Sequence, residues 1–126
     1  MGTNRTPPFP AYPNWSTAKF FGFLRSALRT ASAKWPPRYE VKRAAKRKYE
    51  GPDKRLKWEY QCARCGLWHK DKDVEVDHIV PVGTLRSFED LPGFVERLFC
   101  PIDGLRVLCK PCHLEITAEQ KEKSDD

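Results

Sequence analysis

The chain has 126 residues, 40% of them hydrophobic, with a formal charge of +6 and an isoelectric point near 9.2. That length and apolar content allow one modest core rather than two full ones. The absence of any apolar run of about 18 residues excludes a membrane-spanning helix, so the chain is expected to be soluble, and the excess of Lys and Arg suits a polyanionic partner.

Residues 1–15 are rich in proline and carry Phe9, Tyr12 and Trp15, which reads as an extended arm rather than regular structure. Met1-Gly2-Thr3-Asn4-Arg5-Thr6 fits the N-myristoylation pattern. No second membrane signal follows it, and the match reads as coincidence. Ser16 is a plausible N-cap. After it, Phe20, Leu24, Leu28, Ala31 and Trp35 recur at three- and four-residue spacing, which predicts a helix that Pro36-Pro37 stops. A second helix is expected from about Arg38 to Tyr49, with Val41, Ala45 and Tyr49 as a narrow apolar stripe and Lys42, Arg43, Lys46 and Arg47 mostly opposite.

Between Ser16 and Lys57 thirteen Lys or Arg face three acids, so the positive charge is concentrated in the first half. Residues 16–56 are therefore read as a helical basic extension. Its charged face suits the backbone of a DNA duplex, adding affinity with little sequence information; a plain solvated face is the alternative.

Residues 57–122 are read as the second, compact segment, with 123–126 an acidic tail that frays. Val74 to Val80 alternates apolar and polar residues as a strand does, and Pro81 and Gly83 end it. A short helix near Pro92 to Phe99, a strand from Leu105 to Leu108 and a helix from about Pro111 to Lys121 complete the expected order. The fold class is α+β.

The strongest chemical signal is Cys62-x2-Cys65 with Cys109-x2-Cys112. Two thiolates three positions apart on a tight turn reach one tetrahedral ion, and two such knuckles close a four-sulfur site with no position open to water. The expected occupant is a structural Zn2+. Cys100, among Leu98, Phe99 and Pro101, reads as a small buried hydrophobe, and His69 as a residue that four cysteines leave without a ligand role. Five cysteines with no apolar leader suit a reducing, cytoplasmic setting.

Beside the knuckles stand Asp77-His78 on the first strand and His113 directly after Cys112. A zinc staple alone does not need them. One reading has Asp77 and His113 holding a divalent cation while His78 accepts a proton from water, as an imidazole neutral near pH 7 can. In the other, Asp77 caps a turn and His78 is a satisfied core histidine. Adjacent residues on a strand point to opposite faces, so Asp77 and His78 need a local bend or separate roles.

Asp77-His78-Ile79-Val80-Pro81, followed by Leu105-x2-Leu108-Cys109-x2-Cys112-His113-x3-Thr117, resembles the signature of the HNH endonucleases in their zinc-containing form. The resemblance covers about half the chain. It implies a ββα-metal finger and hydrolysis of a DNA phosphodiester with one divalent cation (Mg2+, Mn2+ or Ni2+), leaving 5′-phosphate and 3′-hydroxyl ends. The stretches from Trp35 to Glu40 and from Arg86 to Cys100 are similar to the small HNH proteins of tailed bacteriophages, which implies a bacterial host cytoplasm and a phage packaging or replication protein as a partner. One departure stands out: the family's central Asn is Gly104 here, with Asp103 next door as a stand-in. Thr117 lies one helical turn beyond His113, and Arg86, Arg97 and Arg106 are candidate clamps for the scissile phosphate. The competing reading is a zinc-ribbon-like module that binds DNA or a partner without cutting.

Overall fold

The structure, a computed structural model, describes residues 6–124, so most of the Met1–Thr6 pattern and the acidic Asp125 and Asp126 lie outside the described residues. Among the described residues, four helices and seven short strands give an α+β fold. The chain divides into two compact units. The first takes the described residues up to Trp35 together with Val80–Cys100, and the second takes Pro36–Ile79 with the residues from Pro101 onward. This division cuts across the segments expected at 16–56 and 57–122.

The first unit opens on a small hairpin rather than an irregular arm: β1 (Pro8–Phe9) pairs antiparallel with β2 (Tyr12–Ser16). Aromatic contacts stabilise it, with Phe9 stacked on Phe20 at 3.8 Å between ring centroids and Trp15 edge-on to Phe23 at 5.2 Å. Helix α1 (Thr17–Ser32) follows directly, and the Ser16 hydroxyl accepts from the Lys19 N–H at 3.1 Å, as an N-cap should. Phe21 is the fully buried aromatic of α1, and Phe20, Leu24 and Leu28 pack partly buried around it. They meet Val82, Leu85, Phe94 and Leu98, the last two from a helix over Leu91–Leu98. Trp35 donates its indole N–H to the Cys100 carbonyl at 2.7 Å, and the Cys100 side chain is buried.

In the second unit α2 (Pro36–Ala44) begins on the two prolines, whose fixed φ suits a first helical turn. It ends five residues before the expected Tyr49, because Lys46–Lys48 form strand β3 instead. β3 pairs antiparallel with β4 (Trp58–Gln61), which pairs with β5 (Trp68–His69). The strand gains partners that a helix would lack: Lys46 sits 4.2 Å from the Trp58 ring, and Arg47 lies 3.8 Å over Trp68 while its Nε meets Glu59 at 2.7 Å. The expectation of one basic helix is thereby corrected. Lys42 and Arg43 are on α2, whereas Lys46 and Arg47 are adjacent on a strand and leave opposite faces.

Two further strands, β6 (Val74–His78) and β7 (Leu105–Cys109), pair antiparallel in unbroken register from Val74↔Cys109 to His78↔Leu105. With the helix over Leu91–Leu98 as α3, the last helix is α4 (Lys110–Ser124), which starts where β7 ends and packs on both strands. Leu108 and Ile116 share their buried cluster with Cys62, Cys109 and Cys112, so thiols supply most of this core. Among the described residues no helix is long and apolar enough to cross a membrane.

Candidate metal centres

Cys62 and Cys65 lie on the turn between β4 and β5, Cys109 ends β7, and Cys112 lies in the first turn of α4. The turn closes because the Gly66 N–H donates to the Cys62 carbonyl at 3.0 Å while Gly66 adopts φ of 76°, a conformation open to glycine. Ala63 then donates its N–H to the Val107 carbonyl at 2.8 Å, fastening this knuckle to β7. Arg64 fastens it to α4, reaching Glu115 at 3.1 Å and Glu119 at 2.9 Å.

The four sulfurs lie within 4.8 Å of one another, with Cys65 and Cys109 at 3.9 Å. Metal–sulfur bonds of about 2.3 Å place tetrahedral sulfurs about 3.8 Å apart. The cluster therefore fits one metal ion such as zinc. All five cysteines are free of disulfides, and Cys100 stands outside the group. His69 Nε2 comes within 3.9 Å of Cys65 Sγ, beside the cluster rather than within it.

The thiols differ sharply in acidity. Burial works to raise Cys62, but the backbone N–H groups of Cys65, Cys109 and Arg64 outweigh it and bring the thiol down to about 6. Cys112 is pushed up to about 12 by its hydrogen bond with Cys109 and by burial, and burial also pushes Cys109 up. Four thiolates repel one another unless a cation joins them.

A second cluster forms where α4 crosses β6. His113 Nε2 faces Asp77 Oδ1 at 3.6 Å, and its Nδ1 lies 3.1 Å from Glu75 Oε2. Glu75 and Asp77, two apart on β6, share one face of the strand. Arg106, the register partner of Asp77, meets the other carboxylate oxygen at 3.0 Å. A separation of 3.6 Å is long for a hydrogen bond. It is close to the roughly 3 to 3.5 Å between neighbouring donors of one ion with bonds of about 2.1 Å. The oxygen and imidazole donors suit Mg2+, Mn2+ or Ni2+.

His78 ends β6 opposite Leu105, and because the register is unbroken, alternation sends it to the face opposite Asp77. The structure thus brings Asp77 to His113 but does not bring His78 to them; it lies at the next ladder position, on the other face. Gly104 closes a 3-10 turn over Ile102–Gly104, and its carbonyl accepts the Ile79 N–H at 2.9 Å, so main chain ties this turn to the end of β6. Asp103 is exposed in that turn, and Thr117 is exposed on α4. Of the three arginines, Arg106 is at this cluster; Arg97 donates to the Val82 carbonyl at 2.7 Å, and the Arg86 N–H is held by Asp90 at 3.0 Å, both in the first unit.

Sequence reasoning missed Glu75 and Arg64. The available signal for Glu75 was its two-residue spacing from Asp77 on a predicted strand. No family model matches the chain, and no curated protein or solved structure matches it either.

Proposed function

We propose that this chain is an HNH-type endonuclease that hydrolyses DNA phosphodiester bonds with a divalent cation. The observation that carries the reading is the approach of Asp77 Oδ1 to His113 Nε2 at 3.6 Å, beside two antiparallel strands and the helix that follows them. When bound there, a divalent cation supplies charge that offsets the negative charge building on the phosphoryl and leaving oxygens. Asp77 and His113 would hold and orient it. His78, the last residue of β6, would take the proton of the attacking water; since alternation faces it away from Asp77, this role requires the chain to bend at the end of β6 and bring the imidazole round to the phosphate. Arg106 shares its guanidinium between Asp77 and the phosphate. Cys62, Cys65, Cys109 and Cys112 would hold Zn2+ as a staple, and because Cys112 and His113 are consecutive, that would also fix the start of α4.

Supercoiled plasmid incubated with the purified protein and Mg2+, Mn2+ or Ni2+ tests this. The wild type should nick or linearise it, and chelation should stop the reaction. His78→Ala should bind DNA and keep its zinc while losing roughly 10²- to 10⁴-fold in rate. Wild-type turnover by His78→Ala, with Asp77→Ala inactive as a control for contaminating nuclease, would place the base elsewhere. Gly104 in the Asn position favours one second reading, a zinc-ribbon-like module that binds DNA or a phage packaging or replication protein without cutting. A protein that binds DNA and never cleaves under any of the three cations supports that second reading.

A further inference from the structure

We infer that Glu75 is a positioning residue for His113, fixing its tautomer so that Nε2 presents a lone pair beside Asp77 Oδ1. This rests on the reading of Asp77 and His113 as cation ligands and deepens it. The imidazole has two nitrogens with different neighbours: Nδ1 lies at hydrogen-bonding distance, 3.1 Å, from the Glu75 carboxylate, whereas Nε2 lies at 3.6 Å from Asp77. The shorter contact, 3.1 Å against 3.6 Å, decides where the proton of a neutral ring sits. A proton on Nδ1 leaves Nε2 as an acceptor, which is the state a metal ligand requires. The strand supplies both carboxylates from one face, Glu75 with its side chain 46% exposed and Asp77 with 13%. Arg106 holds the outer oxygen of Asp77, so Oδ1 is the one turned toward the ring. Glu75 meets the imidazole at its other nitrogen, so it can orient the ring without itself serving as a ligand. A carboxylate bonded to the distal nitrogen of a ligand histidine is a recurring way to orient the ring and raise its basicity, and its loss typically weakens metal binding by roughly 10- to 100-fold.

The test uses zinc-loaded, full-length wild type, Glu75→Ala and Glu75→Gln, each first checked for unchanged zinc content and melting temperature. Two readouts are taken at pH 8: the His113 tautomer from ring nitrogen shifts, and Mn2+ affinity from a titration followed by electron paramagnetic resonance. Wild type should carry the proton on Nδ1. Glu75→Ala should shift it toward Nε2 and bind Mn2+ roughly 10- to 100-fold more weakly. Glu75→Gln, which keeps an oxygen acceptor, should stay close to wild type in tautomer and fall between the two in affinity. A wild-type ring protonated on Nε2, or a Glu75→Ala protein identical to wild type in tautomer and Mn2+ affinity, overturns the inference. If the wild type cuts no DNA yet gives the expected tautomer and Mn2+ pattern, the positioning role stands and the endonuclease reading alone falls. A wild type that takes up no Mn2+ at millimolar concentration overturns both.

Discussion

Arg106 Nε lies 3.0 Å from Asp77 Oδ2 across the β6–β7 pair, where the two residues are register partners. The Asp77 side chain is only 13% exposed, so its carboxylate depends on that guanidinium. Arg106→Ala should cost roughly 1 to 3 kcal/mol, the range for a hydrogen bond to a charged group whose partner is left behind. Added Mn2+ should restore more stability to this variant than to wild type, because a cation at Asp77 replaces the missing positive charge. Thermal unfolding with and without Mn2+ checks both statements. An equal Mn2+ response in the two proteins would count against Asp77 as a ligand.

Metal analysis of the purified protein should find close to one zinc per chain. Cys109→Ser should lose the metal and unfold the second unit, since metal binding in a small site is also folding energy and thiols make up most of the cluster around Leu108 and Ile116. Cys100→Ser should keep its zinc, because Cys100 lies outside the four-sulfur group. A folded, metal-free wild-type protein would remove the staple.

Zinc uptake should depend steeply on pH. With Cys112 pushed up to about 12 and Cys109 also raised, both thiols carry protons at pH 7 in the metal-free protein, whereas Cys62, brought down to about 6, is mostly thiolate. Binding therefore expels protons from Cys109 and Cys112 and almost none from Cys62. Affinity rises with pH by at least about two decades per unit near neutrality and drops further once acid protonates Cys62 below about 6. Calorimetric titrations in buffers of different ionisation enthalpy count the protons released. A count near zero at pH 7 contradicts the assignment.

Neutralising Lys42, Arg43, Lys46 and Arg47 together should weaken DNA binding on all sequences alike and flatten its salt dependence. Their placement adds a distinction. Arg47 is engaged by Glu59 and Trp68, and Lys42 by Asp71, so Arg47→Ala alone should lower stability more than binding, while Arg43→Ala, exposed on α2, should do the reverse. Fluorescence anisotropy across a salt series, with melting temperatures alongside, separates the two effects. An unchanged salt slope in the quadruple variant would end the role given to this basic segment.

Local signals were legible where local physics decides. The Cys-x2-Cys spacing names a turn that only its own residues must form, and the periodicity after Ser16 marks a helix with its cap. Nonlocal partners decide the rest. Lys46–Lys48 carry a helical-looking pattern, but Trp58, Glu59 and Trp68 reward a strand, and those partners lie ten or more residues away. Phe9 leads into a hairpin because Phe20 offers it a stacking surface, which proline content alone does not reveal. Glu75 looks like any outward-facing strand residue until α4 brings His113 over it.

Each unit is built from two stretches of chain that alternate along the sequence, the first resuming at Val80 and the second at Pro101. This ordering governs the chain as the ribosome delivers it. The first unit lacks Leu85, Phe94 and Leu98 of its core until the residues up to about Cys100 have emerged, and the second lacks β7 and two of its four thiols until Cys112 has followed. Phe20 and Phe21 therefore stay unburied until about Cys100 has emerged and β6 stays unpaired until β7 follows, so the two units close in quick succession.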